Sequence, residues 1–112
     1  MEIALPIVLT PLDAEGNPYG QPVETRTRDV SADGVLVDAK ISPDLPGLRI
    51  SLPLPDGLPP FECAVRVVRQ LGWGSGLRYS GISDDDRARL KAFVAETKHF
   101  QLLEEQDQRE AI

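Results

Sequence analysis

Apolar residues alternate with others in three stretches of the chain, the spacing at which a half-buried strand places every second side chain on one face. Ile3, Leu5, Ile7 and Leu9 make the first, and Pro6 within it predicts an edge strand or a strand bent at a bulge. Asp13 to Gly20 is a turn cluster, after which Val23 to Val30 resumes an extended pattern rich in β-favouring residues. Gly34 to Val37 is short and apolar. Leu48, Ile50, Leu52 and Leu54 alternate again, with Arg49 and Ser51 facing the other way. Past a turn over Asp56 to Pro60, Phe61, Cys63, Val65 and Val67 alternate with Glu62, Ala64 and Arg66. Leu71 to Gly76 reads as a glycine-rich hairpin loop, with Leu77 to Ser80 its return strand.

The texture changes after Gly81. Nearly all the prolines and glycines precede that residue, and none occurs between it and Phe100. Ser83 supplies an N-cap, and Asp84, Asp85 and Asp86 place carboxylates over the first turn, where the helix dipole favours negative charge. Leu90, Phe93, Val94 and Thr97 form one stripe at helical spacing, suited to lie across a barrel mouth. Leu102 and Leu103 fall off that stripe, so the helix bends, restarts, or offers a second face to a partner. The fold expected is all-β with a C-terminal helix: a small six-stranded antiparallel β-barrel, apolar inside and polar outside, closed by one amphipathic α-helix.

Composition narrows the class further. A chain of 112 residues is one domain, long enough to bury roughly two-thirds of its surface in a single core. Twelve basic against 18 acidic residues leave a net charge of −6, which argues against a duplex nucleic-acid partner and against direct membrane insertion. No apolar run approaches the roughly 20 residues of a spanning helix. Met1-Glu2-Ile3 lacks the basic stretch that opens a secretory signal. The single cysteine, Cys63, excludes an intrachain disulfide and fits a reducing compartment, so the expected location is cytoplasmic.

Catalytic and metal chemistry find little to work with. His99 is the only histidine and has no nucleophile motif beside it, so it reads as a solvated or capping residue and the chain as no enzyme. Cys63 and His99 lack companions at metal-ligand spacing. Asp29-Val-Ser-Ala-Asp-Gly34 has the first oxygen donors of a calcium loop, but Lys40 stands where a bidentate glutamate is required. The plain reading of that segment is a turn in which Asp29 and Ser31 bond local amides and Gly34 takes a positive φ. Trp73, flanked by glycines, reads as a lid on the core rather than a stacking platform.

The same segment carries a resemblance. Asp29-x-Ser31-x-x-Gly34 resembles the D/N-x-S-x-x-G signature of PilZ domains, a turn between two barrel strands. Thr27-Arg28 before it, the hairpin from Cys63 to Arg69 and from Gly76 to Gly81, and the helix entered through Ser83 and Leu90 are similar to that family in the same order, over roughly residues 3 to 97. The resemblance implies a PilZ-like barrel with its closing helix over residues 1–100 and a polar tail or helix extension over 101–112. It also implies a bacterial signalling or adaptor domain responsive to cyclic di-GMP. That dinucleotide is a ligand rather than a cofactor, and the domain would pass its state to a downstream effector protein or an adjacent domain. Asp29 would accept hydrogen bonds from guanine, Ser31 would contact base or backbone polar atoms, and Gly34 would let the main chain pass close to the ligand. Arg69, at the end of its strand, is placed to stack on a base.

The chain departs from the family in one respect. The R-x-x-x-R signature that normally supplies the cation clamp is absent, since no two arginines in the sequence stand four apart. Either the chain is a piece cut just inside the clamp, or it is a member that has lost it, with binding weakened or lost. Arg26 and Arg28, next to the turn, are partial substitutes, although alternation sends both to one face. The alternative reading is a nucleotide-independent interaction module that keeps the barrel and docks a protein through the helix and Leu102-Leu103.

Overall fold

The computed structural model describes the backbone of residues 1–110 and the side chains of residues 1–97. His99, Leu102 and Leu103, and with them the expected second face of the helix, lie outside the described side chains. Six strands follow in order: β1 (Pro6–Leu12), β2 (Val23–Val30), β3 (Gly34–Val37), β4 (Gly47–Leu52), β5 (Phe61–Gln70) and β6 (Ser75–Ser80). The helix α1 spans Asp84–Glu110. The strands close into an antiparallel barrel in the ring order β1-β2-β3-β6-β5-β4, with β4 returning to pair with β1.

Alternation explains which way each strand faces. Leu48, Ile50 and Leu52 of β4 and Phe61, Cys63 and Val65 of β5 are buried, while Arg49, Glu62, Ala64 and Arg66 are exposed. Ile7, Leu9, Val30, Val35, Val37, Leu77 and Tyr79 complete the lining from the other four strands. Phe61 and Tyr79 meet edge to face with their centroids 5.5 Å apart, the arrangement that the aromatic quadrupole favours. The exterior is not wholly polar as expected. Val68 is exposed, and Val8 and Leu36 are half-buried on outward positions.

The helix seals one mouth. The Asp86 amide donates to the Ser83 hydroxyl at 3.2 Å, which makes Ser83 the cap the sequence suggests. Leu90 and Phe93 are buried in the barrel core, and Val94 packs against it. Arg89 then ties the helix to the β4–β5 turn. Its Nε and Nη2 donate to the two carboxylate oxygens of Asp56 at 2.6 and 2.8 Å, and Nη2 also donates to the Pro59 carbonyl at 2.7 Å. This two-point grip on a planar carboxylate is the geometry guanidinium is built for. It holds the Asp56 carboxyl down to about 2. Among the described residues, no helix is long and apolar enough to cross a membrane.

Two expectations need correction here. Pro6 opens β1 opposite Arg26 in a ring without an edge, so it marks neither an edge strand nor a bulge in β1. The return strand begins at Ser75 rather than Leu77, because Ser75 and Gly76 already pair with Val37 and Leu36. Ser75 can afford burial because its hydroxyl accepts the Ile41 amide at 2.8 Å.

Candidate functional site

The site starts with a bulge in β2. The register with β3 slips between Thr27 and Asp29, so that Thr27 and Val30 point inward while Arg28 and Asp29 stand side by side on the exterior. Thr27 is fully buried, and its hydroxyl serves the segment that leads into β1. It donates to the Ile3 carbonyl at 2.6 Å and accepts the Leu5 amide at 2.9 Å. The Val30 amide donates to the Met1 carbonyl at 2.8 Å, so residues 1–5 are laid along the second half of β2. A cleft of about 590 Å³ opens there, lined by Glu2, Ile3, Arg28, Asp29, Leu36 and Trp73 among others.

Charge and stacking give the cleft its character. Arg26 and Arg28 both donate through Nε to Asp38, one to each carboxylate oxygen. The two guanidinium bonds hold the Asp38 carboxyl below its ordinary range. The Arg28 guanidinium carbon also lies 4.9 Å from the centroid of the Trp73 ring, a cation–π contact. Trp73 is 44% exposed and stands outside the core, which corrects its expected role as a core lid. Asp29 Oδ1 accepts from the Met1 ammonium at 2.8 Å, while Oδ2 makes no hydrogen bond among the described residues.

Of the four residues singled out from the sequence, Asp29 alone lines the cleft. Ser31 spends its hydroxyl on its own turn: it accepts the Asp33 and Gly34 amides and lies 3.2 Å from the Gly34 carbonyl. Gly34 does not have a positive φ. Its reason is steric, since a Cβ there would sit 2.1 Å from the Leu77 carbonyl oxygen on the neighbouring β6. The bare position lets β3 and β6 pair at full contact next to the turn. Arg69 stands on the same exterior rung as Asp29, in the register order Asp29, Leu36, Gly76, Arg69. Three strand spacings of about 4.8 Å separate the two, so Arg69 flanks the cleft rather than lining it. Gly76 between them is buried under its neighbours: a Cβ there would press on both Leu36 and Arg69 at 3.2 Å.

Sequence reasoning passed over the partnership of Arg28 with Trp73. The signal for it was faint, a lone tryptophan between glycines and an arginine far away along the chain. Only closure of the barrel brings the β5–β6 turn over β2. Among the described residues, no group of acidic, histidine or cysteine side chains is arranged to hold a metal ion.

The PilZ domain family model matches residues 3–96 of the chain. The crystal structure of the PilZ domain of CeSA from a cellulose-synthesising bacterium is similar in fold, with a TM-score of 0.64 and 18% sequence identity. That similarity covers 88% of this chain and 97% of the other. No curated protein matches the sequence.

Proposed function

The chain belongs to the PilZ domain family, and from that membership we propose that it is a non-enzymatic cyclic di-GMP receptor module whose residues 1–112, which hold no R-x-x-x-R pair, bind the dinucleotide weakly. PilZ domains are a family of cyclic di-GMP receptors that act as binding and adaptor domains. The observation that carries the reading is the exterior cleft beside Asp29, which puts an unsatisfied carboxylate oxygen next to an aromatic face and a guanidinium. A guanine presents N–H donors on one edge that a carboxylate accepts, a π-face that indole stacks on, and acceptors for arginine on the other edge. The rung that starts at Asp29 runs through Leu36, which lines the cleft, and the buried Gly76 to Arg69 at its far end.

Weak binding follows from how the cations are already used. Arg26 and Arg28 are committed to Asp38, and Arg28 to Trp73 as well, so a dinucleotide phosphate must compete for them. Each charge-assisted contact forgone is worth about 1.5–3 kcal/mol, and two together cost several orders of magnitude in affinity. The same commitments favour the second reading, an interaction module that works without nucleotide. A calorimetric titration of the chain and its D29A variant with cyclic di-GMP separates the two. Saturable binding that D29A weakens at least tenfold supports the receptor; no heat with either protein leaves only the interaction module.

A further inference from the structure

A second face of the barrel carries charge of which the nucleotide reading calls on Arg69 alone. On β4, β5 and β6 the outward positions include Arg49, Arg66, Arg69 and Arg78, all exposed. None of the four forms an ion pair among the described residues, although the chain as a whole is acidic. Arg66 stands directly opposite Arg78 across the β5–β6 ladder. Like charges placed opposite one another are destabilising, so this pair costs the isolated barrel stability. Arg49 follows one strand over, opposite Ala64, which in turn faces Ser80. Glu62, opposite Ser51 at the far end of β5, is the one carboxylate among the outward residues of these strands. A groove of about 460 Å³ opens onto the same wall. It is lined by Pro43, Leu45 and Pro46 from the loop before β4 and by Ala64, Arg66 and Ser80 from the sheet, among others.

We propose that this outer wall of β4, β5 and β6 is a docking face for an acidic polypeptide segment, separate from the cleft beside Asp29. Charge complementarity selects the partner's sign, and its layout selects the class. The arginines are distributed over three strands spaced about 4.8 Å apart, so they meet a row of carboxylates rather than converge on one compact anion. No aromatic side chain stands on the outward positions of these strands to stack unpaired bases, which disfavours single-stranded nucleic acid. The net charge of −6 works against the denser charge of a duplex. The apolar loop wall at Leu45 adds a seat for one aliphatic side chain of the partner between its acidic residues. Arg69, on the rung shared with Asp29, sits where the two faces meet.

The test is fluorescence anisotropy with the full chain and a labelled peptide repeating Glu-Glu-Leu. The expected result is saturable binding that falls at least tenfold in R66S/R78S and disappears as salt rises from about 50 to about 500 mM, where charge is screened within a few ångströms. A variant at the other basic group, R26S/R28S, leaves peptide binding unchanged, and circular dichroism checks that both variants are folded. The proposal is overturned if the unaltered chain does not bind the peptide or if both variants lose it equally. It is equally overturned if an oligothymidylate of matched charge, or phosphatidylserine vesicles, bind more tightly than the peptide.

Discussion

Arg28 lies over Trp73 with its guanidinium carbon 4.9 Å from the ring centroid, so the β2 bulge and the β5–β6 turn share one exterior wall. That contact makes the indole a reporter for the cleft. Cyclic di-GMP is expected to quench Trp73 emission, because a guanine stacked near an indole offers a non-radiative path. In R28A the indole loses its cover, so its emission shifts to the red before ligand is added. Emission that ignores saturating ligand while calorimetry records binding places the nucleotide elsewhere.

Adding an arginine pair at R-x-x-x-R spacing ahead of Ile3 is expected to raise affinity for cyclic di-GMP by two to four orders of magnitude, about 1.5–3 kcal/mol for each new contact. Calorimetry on the two chains measures it directly. Unchanged affinity counts against a cleft that lacks only its clamp.

Gly34 and Leu77 give a test of the scaffold. Alanine at 34 forces its Cβ against a backbone oxygen that would lie 2.1 Å away. Since neither strand yields without breaking the ladder, G34A is expected to lose about 2–4 kcal/mol in denaturant unfolding. Gly72 is the control: no atom lies within 4 Å of its Cβ position and its φ is not positive, so G72A stays within about 0.5 kcal/mol.

The bond between Asp56 and Arg89 predicts acid sensitivity of a definite sign. Asp56 has its carboxyl lowered to about 2, below the ordinary value of an unfolded chain, chiefly by the Arg89 hydrogen bonds. Its contribution is therefore complete above about pH 4 and is lost as pH falls through about 2. Thermal melts of the chain and of D56N should differ at neutral pH and converge over that interval. A constant gap down to pH 2 would show that the carboxylate charge is irrelevant there.

Much of the barrel was legible because its strands alternate cleanly. Leu48 to Leu54 and Phe61 to Val67 declare their inward faces without help from any neighbour, and Ser83 announces the helix. The bulge was not legible. Glu24 to Asp29 is a polar run in which the inward residue is Thr27, whose hydroxyl is satisfied only by the distant Ile3 and Leu5. Gly34 was recognisable as a required glycine, but the reason lies in Leu77, a partner that local turn chemistry does not reveal. Asp29, which the motif marks, lines the cleft. Trp73 was misread because the residue that explains it stands on another strand.

In the closed ring every strand has a neighbour on both sides, and residues 1–5 run along the second half of β2. Over most of the ring the strands therefore leave no free row of amides and carbonyls for a visiting chain to extend by strand addition; the exception is residues 66–70 of β5, which pair with β6 alone. Elsewhere the barrel offers side chains on a curved palisade, where swapping a few residues can redirect recognition without disturbing the ladder beneath.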